Sequence, residues 1–269
     1  MCPNDYNKHT NLPSHITKLY VPQYIHILSS TNYQTIRAKI KIKMGEGLKV
    51  YGFSISPFTR KVLMTLNLKG IKYDYVEEDL NNKSSDLVRY NPVHKATPVL
   101  LHKGNPLPES LIIVEYIDET WTDKPLMPVD PYDRAMARFW ANFIDTKLVP
   151  SIKVAVLKEC EEHEHEKKIE EANQWVKTIE DVLGNKKFFG GEKIGYLDIA
   201  AIWLVGWVPP MQEAAGWQLI NKEKYPNLSA WTEEMLSHVT VKENLPHRDP
   251  LYAYYVWRLS GFKPELTPK

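Results

Sequence analysis

The chain has 269 residues, of which 43% are hydrophobic and 25% charged, and its formal net charge is +1 at pH 7. This composition is typical of a soluble globular protein with room for two domains, and the near-neutral balance excludes a global attraction to nucleic acid or to an anionic membrane. The two cysteines, Cys2 and Cys160, exclude a disulfide framework and suit a reducing compartment. No apolar run approaches the roughly 20 residues that cross a bilayer, and we expect no secretory signal.

Residues 1–46 are predicted to be an extra N-terminal segment outside the folded domains. Within them, residues 1–43 carry six Lys or Arg and one acidic residue, Asp5. Two interpretations stay open: an organelle transit peptide, although such peptides are usually rich in Arg, or a disordered appendage that precedes a second start at Met44. The low hydrophobic periodicity favours the appendage, and with it a cytosolic protein.

The first predicted elements after residue 46 carry clear start and stop signals. The short apolar run Leu48–Phe53 predicts a buried strand. Ser56 is predicted to cap the following helix, with Pro57 at its first position and Gly70 just past its end.

Five further elements are predicted before residue 125. They are a strand over Ile71–Glu77, a weak helix ending before Asn91, a strand over Val99–His102, a hairpin leading to a short strand at Leu107, and a helix over Ser110–Glu119. The last helix is apolar nearly all round, so we expect it to be packed between two surfaces. The complete order, β-α-β-α-β-β-α, predicts a thioredoxin-like α/β domain.

Beyond this domain the pattern is helical. Pro125, Pro128 and Pro131 mark a linker, and Asp130 is predicted to cap the helix that begins at Pro131. A charged helix is predicted from about 161 to 183, and a further helix is predicted to begin at Gly195. Pro150 is expected to kink or break the helix that contains it.

Eight short stretches form an ordered set: Ser-Pro-Phe at 56–58, Glu-Glu-Asp-Leu-Asn-Asn-Lys-Ser at 77–84, Asn-Pro-Val-His-Lys at 91–95, Thr-Pro-Val-Leu at 97–100, Glu-Ser-Leu at 109–111, Ala-Arg-Phe-Trp-Ala at 137–141, Phe-Phe-Gly-Gly at 188–191 and Ile-Gly-Tyr-Leu-Asp-Ile-Ala at 194–200. In this order the set resembles the glutathione transferases, specifically the plant tau class, over about residues 47–260. The resemblance implies a thioredoxin-like glutathione-binding domain at 47–125, a linker at 126–131, and an all-helical domain at 132–269 with a hydrophobic electrophile site.

Ser56 is the predicted catalytic residue. A serine before proline is ordinarily only a helix cap, yet a helix N-terminus also offers free N–H groups and a partial positive charge. A thiol placed there is stabilised as its anion, which is the nucleophilic form, and a donated hydroxyl hydrogen bond strengthens the effect. The resemblance implies that Ser56 stabilises the sulfur of glutathione in this way, as an electrostatic group and not as a base.

Glu109 and Ser110 stand where a helix is predicted to begin. On the residues alone, a capping Ser with a first-turn acid is as good an interpretation as a binding site. The resemblance implies that Ser110 binds the γ-glutamyl carboxylate of glutathione and that Glu109 orients its amine.

The other predicted glutathione contacts lie in two loops. The resemblance implies a cis bond between Thr97 and Pro98, which lets the Thr97 backbone pair with the cysteinyl backbone of glutathione. It also implies that Lys83 and Lys95 supply positive charge for the glycyl carboxylate. The chain departs from the family at Ala96, where a second lysine is usual, and this departure concerns the affinity for glutathione.

The electrophile is expected to bind between the two domains. Matching positions suggest seven contact residues, namely Phe58, Val149, Lys153, Val156, Trp207, Tyr254 and Tyr255. For the aromatic members, ordinary core packing is the competing interpretation.

The cluster from Cys160 to Glu166 invites comparison with a metal site. Cys160 and His163 are one helical turn apart, but His165 falls on another face, so a solvated charged helix is the preferred interpretation and no metal is expected.

The resemblance implies a transferase of alkyl or aryl groups that conjugates glutathione, its co-substrate, to small hydrophobic electrophiles in xenobiotic detoxification and the stress response. It implies a homodimer, or a heterodimer within the class, and leaves open a glutathione peroxidase side activity. The alternative is a non-catalytic carrier, or ligandin, of hydrophobic molecules on the same fold. A thiol-disulfide reductase is disfavoured because its chemistry needs a cysteine where Ser56 stands.

Overall fold

The structure is a computed structural model that describes residues 47–260. The predictions for residues 1–46 and for the end of the chain at 261–269 lie outside this range. Among residues 47–260, no helix has both the length and the apolar character needed to cross a membrane.

The first domain is a four-stranded mixed sheet with three helices. The strands lie in the order β2-β1-β3-β4, with β1 parallel to β2 and antiparallel to β3, and with β3 antiparallel to β4. In chain order the elements are β1 Leu48–Gly52, α1 Pro57–Lys69, β2 Asp74–Glu77, α2 Ser85–Tyr90, β3 Val99–His102, β4 Asn105–Pro108 and α3 Ser110–Thr120. The predicted thioredoxin-like order is confirmed.

Two strand boundaries differ from the prediction for reasons of pairing. The strand expected from Ile71 begins at Asp74, because Asp74 pairs with Lys49 near the start of β1 and the residues before it have no ladder partner there. The fourth strand is longer than expected, because positive φ angles at Lys103 (51°) and Gly104 (79°) form a tight turn that pairs Asn105 directly with His102.

Helix α1 begins and ends as its sequence signals predict. Ser56 has extended backbone angles and its Oγ accepts a hydrogen bond from Thr59 N, while Pro57 takes the first helical position. Gly70 ends the helix with φ of 72°, a left-handed conformation that favours glycine.

The second domain is entirely helical within the described residues. Its elements are α4 Pro131–Phe143, a π-helical segment Ile144–Leu148, α5 Val149–Leu157, a 3₁₀ turn Glu162–Glu164, α6 His165–Leu183, α7 Tyr196–Ala200, α8 Ile202–Gly206, α9 Val208–Ala215, α10 Pro226–Ser237, α11 Val239–Asn244 and α12 Arg248–Leu259. Asp130 caps α4 as predicted, since its carboxylate accepts from Tyr132 N and Asp133 N.

The irregularity predicted at Pro150 is a π-helical segment. The turn that ends at Leu148, immediately before α5, is wider than an α-helical turn, and Pro150 lies in the first turn of α5. Proline cannot donate to a carbonyl one turn back, so the helix accommodates it by changing its winding.

The predicted cap at Gly195 organises the middle of the helical domain through Asp198. This fully buried carboxylate accepts from the backbone N–H groups of Phe189 (2.8 Å), Gly190 (3.0 Å) and Gly195 (2.8 Å), and from Trp231 Nε1 (2.8 Å). Four donors on one carboxylate tie three chain segments together.

A single apolar core joins the two domains. Met64 of α1 and Val114 of α3 belong to the same buried cluster as Ile144 and Ile199 of the helical domain. The sequence predicts that α3 is packed between two surfaces; within the described chain Ile113 is fully buried, whereas Ile112 is 55% exposed. The first domain is therefore packed against the helical domain through a shared core, while Ile112 of α3 remains exposed.

Candidate active site

The predicted glutathione contacts meet at one edge of the sheet because of its register. Gly52, at the end of β1, pairs with Glu77, at the end of β2, so the loops that carry Ser56 and Lys83 leave from the same edge. At that edge the antiparallel β3 begins, two positions after Thr97, and Val99 pairs with Pro108, immediately before Glu109. The strand order and register therefore place the loops that carry Ser56, Lys83, Thr97 and Glu109 at the same edge of the sheet.

Ser56 sits in a tight turn at the N-terminus of α1. Its N–H donates to Phe53 O at 2.9 Å, its carbonyl accepts from Arg60 N at 3.0 Å, and its Oγ accepts from Thr59 N at a long 3.4 Å. Within residues 47–260 the Ser56 hydroxyl proton has no protein acceptor. The hydroxyl is therefore oriented by its lone pairs while its proton is free to be donated to a sulfur anion.

Two basic residues follow Ser56 within two helical turns. Arg60 Nε donates to Ser54 O at 2.5 Å, and burial lowers the pKa of this guanidinium although Tyr75 and Glu77 raise it. Lys61 is 1% exposed and its ammonium lies 2.6 Å from Asp145 Oδ1. Arg60 adds positive charge to the positive end of the helix dipole, whereas the charge of Lys61 is balanced by Asp145.

Glu109 and Ser110 differ from the ordinary capping arrangement. Glu109, and not Ser110, is the cap of α3, and it has a φ of 75° and makes no side-chain capping bond, so the capping interpretation of Ser110 is wrong. Positive φ at a non-glycine residue costs about 1 kcal/mol or more and concentrates at functional sites. The exposed Glu109 carboxylate lies 3.7 Å from His94 Nε2, while Ser110 is buried at the first helical position.

The loop before Thr97 is held by a residue that the sequence reasoning missed, Asn91. The buried side-chain amide of Asn91 donates to Ala96 O at 3.0 Å and accepts from His94 N at 3.1 Å. The backbone carbonyl of Asn91 accepts from Lys95 N at 2.7 Å. The predicted cis bond between Thr97 and Pro98 is confirmed. Lys95 is exposed with a φ of 50°, so this loop is pre-shaped and presents a cation to solvent.

Lys83 lies at the end of a loop that is ordered by a buried carboxylate. Glu78 accepts from Ser84 N at 3.1 Å and from Ser84 Oγ at 2.6 Å, and Ser84 in turn caps α2. Lys83 itself is exposed. Its backbone is therefore constrained while its ammonium is free to reach an anion.

Phe58 and the start of α5 are brought together by Lys61. The Lys61 ammonium lies 5.2 Å from the centre of the Phe58 ring and contacts Asp145, which belongs to the π-helical segment directly before Val149. Phe58 is 44% exposed, and Val149 and Lys153 are half-buried. These three predicted electrophile contacts retain surface that a ligand can touch.

The remaining predicted electrophile contacts are divided between surface and core. Tyr254 is 42% exposed and stacks edge-on against Tyr255, whereas Tyr255 is 4% exposed and burial raises its pKa. Val156 and Trp207 are buried in the joint core. For Val156, Trp207 and Tyr255 the structure thus agrees with core packing, and their contact with an electrophile stays a prediction.

The sequence from Cys160 to Glu166 forms a short 3₁₀ turn and the start of α6. Residues 161–164 are exposed, and His165 Nε2 is hydrogen-bonded to Ala155 O at 2.8 Å. Within residues 47–260 no group of three His, Cys, Asp or Glu side chains is placed to hold a metal ion. His165 serves to join the turn to α5.

Two clefts of about 680 and 770 Å³ lie in the helical domain. The first lies beside the linker and α4, and the second lies between α9 and α10. Neither is lined by a residue predicted to bind glutathione or electrophile. Neither cleft therefore coincides with the predicted site at the edge of the sheet.

Two long-range contacts to the Ser56 region were not foreseen. They are the Lys61–Asp145 ion pair and a hydrogen bond of 3.1 Å from Trp207 Nε1 to Ile55 O. The ion pair could have been anticipated, because Lys61 lies on the otherwise uncharged inner face of α1 and a buried charge needs a partner. No local pattern indicates the second.

Comparison with known proteins agrees with this geometry. Residues 46–119 match the model of the glutathione S-transferase N-terminal domain, and residues 134–238 match that of the C-terminal domain. A probable glutathione S-transferase of Glycine max is 50% identical over 78% of this chain and 93% of its own, and glutathione S-transferase U8 of Arabidopsis thaliana is 46% identical over 77% and 93%.

Solved structures extend the agreement to the backbone. The tau-class glutathione S-transferase of mango, Mangifera indica, is 39% identical with a TM-score of 0.73 and covers 77% of this chain and 96% of its own. Rice GST1, solved in complex with glutathione, is 31% identical with a TM-score of 0.73 over 81% and 98%. The chain belongs to the glutathione S-transferase family, and within it to the tau class of plants.

Proposed function

We propose that the protein binds glutathione as its thiolate at Ser56 and conjugates it to small hydrophobic electrophiles. The observation that carries this proposal is the Ser56 hydroxyl, which is oriented at the N-terminus of α1 with an uncommitted proton. This is the arrangement that the stabilisation of a sulfur anion requires, and membership of the family supports glutathione as the source of that sulfur.

The loops around Ser56 supply a complementary group for each end of the tripeptide. Ser110, at the start of α3, receives the γ-glutamyl carboxylate with its hydroxyl and the free helix N–H groups, and Glu109 receives the amine. Thr97 pairs with the cysteinyl backbone, and the exposed ammonium groups of Lys83 and Lys95 attract the glycyl carboxylate.

In the reaction the thiol proton leaves to solvent and the sulfur lone pair attacks an electrophilic carbon. A C–S bond forms, and either a leaving group departs with the bonding electrons or the adduct takes up a proton. Ser56 donates its hydrogen bond to the sulfur throughout the approach, which lowers the thiol pKa and keeps the nucleophile anionic at neutral pH. Phe58, Val149 and Lys153 bring the electrophile beside that sulfur and so convert a bimolecular encounter into a local one.

Ser56→Ala tests the proposal, with Ser54→Ala as the matched control. Both serines lie in the same turn and both are half-buried, but only Ser56 caps α1. We expect Ser56→Ala to lower kcat/KM with chlorodinitrobenzene about 100-fold, because one preorganised donor to a developing or resident anion is lost. Ser54→Ala should stay close to wild type. Full activity in Ser56→Ala, or turnover that is undetectable in wild type while a hydrophobic dye binds tightly, would refute the proposal, and the second result would select the carrier.

We also propose a dimer in the cytosol that contributes to detoxification and the stress response. The exposed side chains of Ile112, Tyr132 and Phe139 support a dimer, because α3 and α4 are joined by the Arg138–Glu115 ion pair and present these apolar groups. Light scattering should give a mass of about twice the 31.2 kDa of one chain for the wild type. The double variant Ile112→Glu, Phe139→Glu should give the mass of one chain. A wild-type monomer at micromolar concentration would contradict the dimer.

A further inference from the structure

Trp207 connects the helical domain to the turn that carries Ser56. It immediately precedes α9, it is 3% exposed, and its indole nitrogen donates to Ile55 O at 3.1 Å across 152 residues of sequence. The acceptor belongs to the peptide bond between Ile55 and Ser56. The contact therefore acts directly on the backbone unit that precedes the predicted catalytic hydroxyl.

Both polar atoms of that peptide bond are held, and from different domains. The Ser56 N–H donates to Phe53 O at 2.9 Å, which closes the turn from within the first domain. The carbonyl is held by Trp207. A peptide bond with both ends bound cannot rotate about its neighbouring dihedral angles without breaking one of the bonds, and such a rotation is the motion that would redirect the Ser56 side chain.

The rest of the turn is held by the first domain. Ser54 N donates to Glu77 Oε1 at 3.0 Å, and Ser54 O accepts from Arg60 Nε at 2.5 Å. Phe53 N donates to Thr59 Oγ1 at 3.2 Å. Within residues 47–260, the first-domain side chains that bind the turn therefore reach the peptide units of Phe53 and Ser54, and the Ile55 carbonyl is reached by the second domain. Loss of the indole N–H would free one end of the Ile55–Ser56 peptide and leave the other contacts of the turn in place.

We infer that Trp207 is a positioning residue that aims the Ser56 hydroxyl at the glutathione sulfur. This inference rests on the proposed function. Trp207 acts through its N–H, and its ring is buried in the core that the two domains share. Because α9 packs against α5 and α12, the two helices that carry Lys153 and Tyr254, the same hydrogen bond also links two predicted electrophile contacts to the turn that holds Ser56.

The test compares the pKa of the bound glutathione thiol, followed by thiolate absorbance, in wild type and in Trp207→Phe. Phenylalanine keeps a buried aromatic ring and removes the donor. We expect the thiol pKa to rise by roughly half a unit to one unit and kcat/KM to fall about threefold to tenfold, with KM for glutathione within about twofold of wild type. A merely structural tryptophan would lower the melting temperature and leave the thiol pKa unchanged, and that result would overturn the inference.

Trp231→Phe is the matched control. Its indole N–H is also buried and donates at 2.8 Å, but to Asp198 within the helical domain. We expect this variant to melt earlier than wild type without a change in the thiol pKa. An equal rise of the thiol pKa in Trp231→Phe would show that general loosening is the cause and would overturn the inference.

Ser56→Ala separates failure of the inference from failure of the proposed function. If Ser56→Ala raises the thiol pKa and Trp207→Phe does not, the inference fails while the proposed function stands; if neither variant raises it, both fail. Trp207→His, which keeps a ring N–H, provides a second variant should Trp207→Phe not fold. A thiol pKa near that of wild type in Trp207→His supports the inference, and one as high as in Ser56→Ala overturns it.

Discussion

The ion pair between Lys61 and Asp145 is the contact whose loss should most weaken the junction of the two domains. Lys61 is 1% exposed and its ammonium lies 2.6 and 2.8 Å from the two oxygens of Asp145, which is 20% exposed. Burial lowers the pKa of Lys61, and the Asp145 carboxylate opposes that shift. Asp145→Asn removes the opposing charge and leaves the cation inside the protein.

The magnitude follows from this asymmetry. A buried charge stripped of its partner costs about 3–5 kcal/mol of unfolding free energy, which for a folded unit of this size corresponds to a melting temperature about 6–20 °C lower. Lys61→Met removes the buried charge itself and leaves a carboxylate that water reaches, so its cost should be about 2 kcal/mol or less. Asp145→Asn should therefore cost more than Lys61→Met, whereas equal sharing of one bond would make the two costs equal.

The assay is urea unfolding of both variants and wild type at one protein concentration over a range of pH. In Asp145→Asn the folded-state pKa of Lys61 lies further below its unfolded-state value, so the unfolded chain binds more protons and stability rises with pH. The deficit against wild type should shrink as the pH rises toward the ordinary pKa of the unfolded lysine, about 10.4. A deficit below about 1 kcal/mol, or one independent of pH, would refute this reasoning.

Three further outcomes are expected. Glu109→Gly should raise the unfolding free energy by about 0.5–1 kcal/mol, because it relieves a positive φ, yet raise KM for glutathione; loss of stability would contradict this. Ala96→Lys, at an exposed position beside Thr97, should lower KM for glutathione about twofold to fivefold in an effect that salt weakens, and an unchanged KM would assign no role to the missing charge. Asp198→Ala should cost at least about 4 kcal/mol in urea unfolding, because four donors lose their acceptor, and a cost near 1 kcal/mol would contradict the network.

The parts of the fold that were predictable depend on neighbours in sequence. The cap at Ser56, the proline after it and the left-handed Gly70 act within one or two helical turns, and the structure confirms all three. The limits of β2 were not predictable in this way, because a strand ends where its partner strand ends. The exposure of Ile112 likewise depends on what covers α3, which the apolar pattern of the helix cannot specify.

The amino-acid sequence by itself determined the order of the elements and the helix end that holds Ser56, because these follow from local capping and turn chemistry. The residues named as glutathione contacts stay a prediction from motifs at family spacing. Only the tertiary structure decided that Lys61 pairs with Asp145, 84 residues away, and that Trp207 binds the peptide before Ser56, 152 residues away. The physical reason is that a buried charge or N–H group requires a partner without specifying which one. The packing of the helical domain against α1 decides which residue becomes that partner.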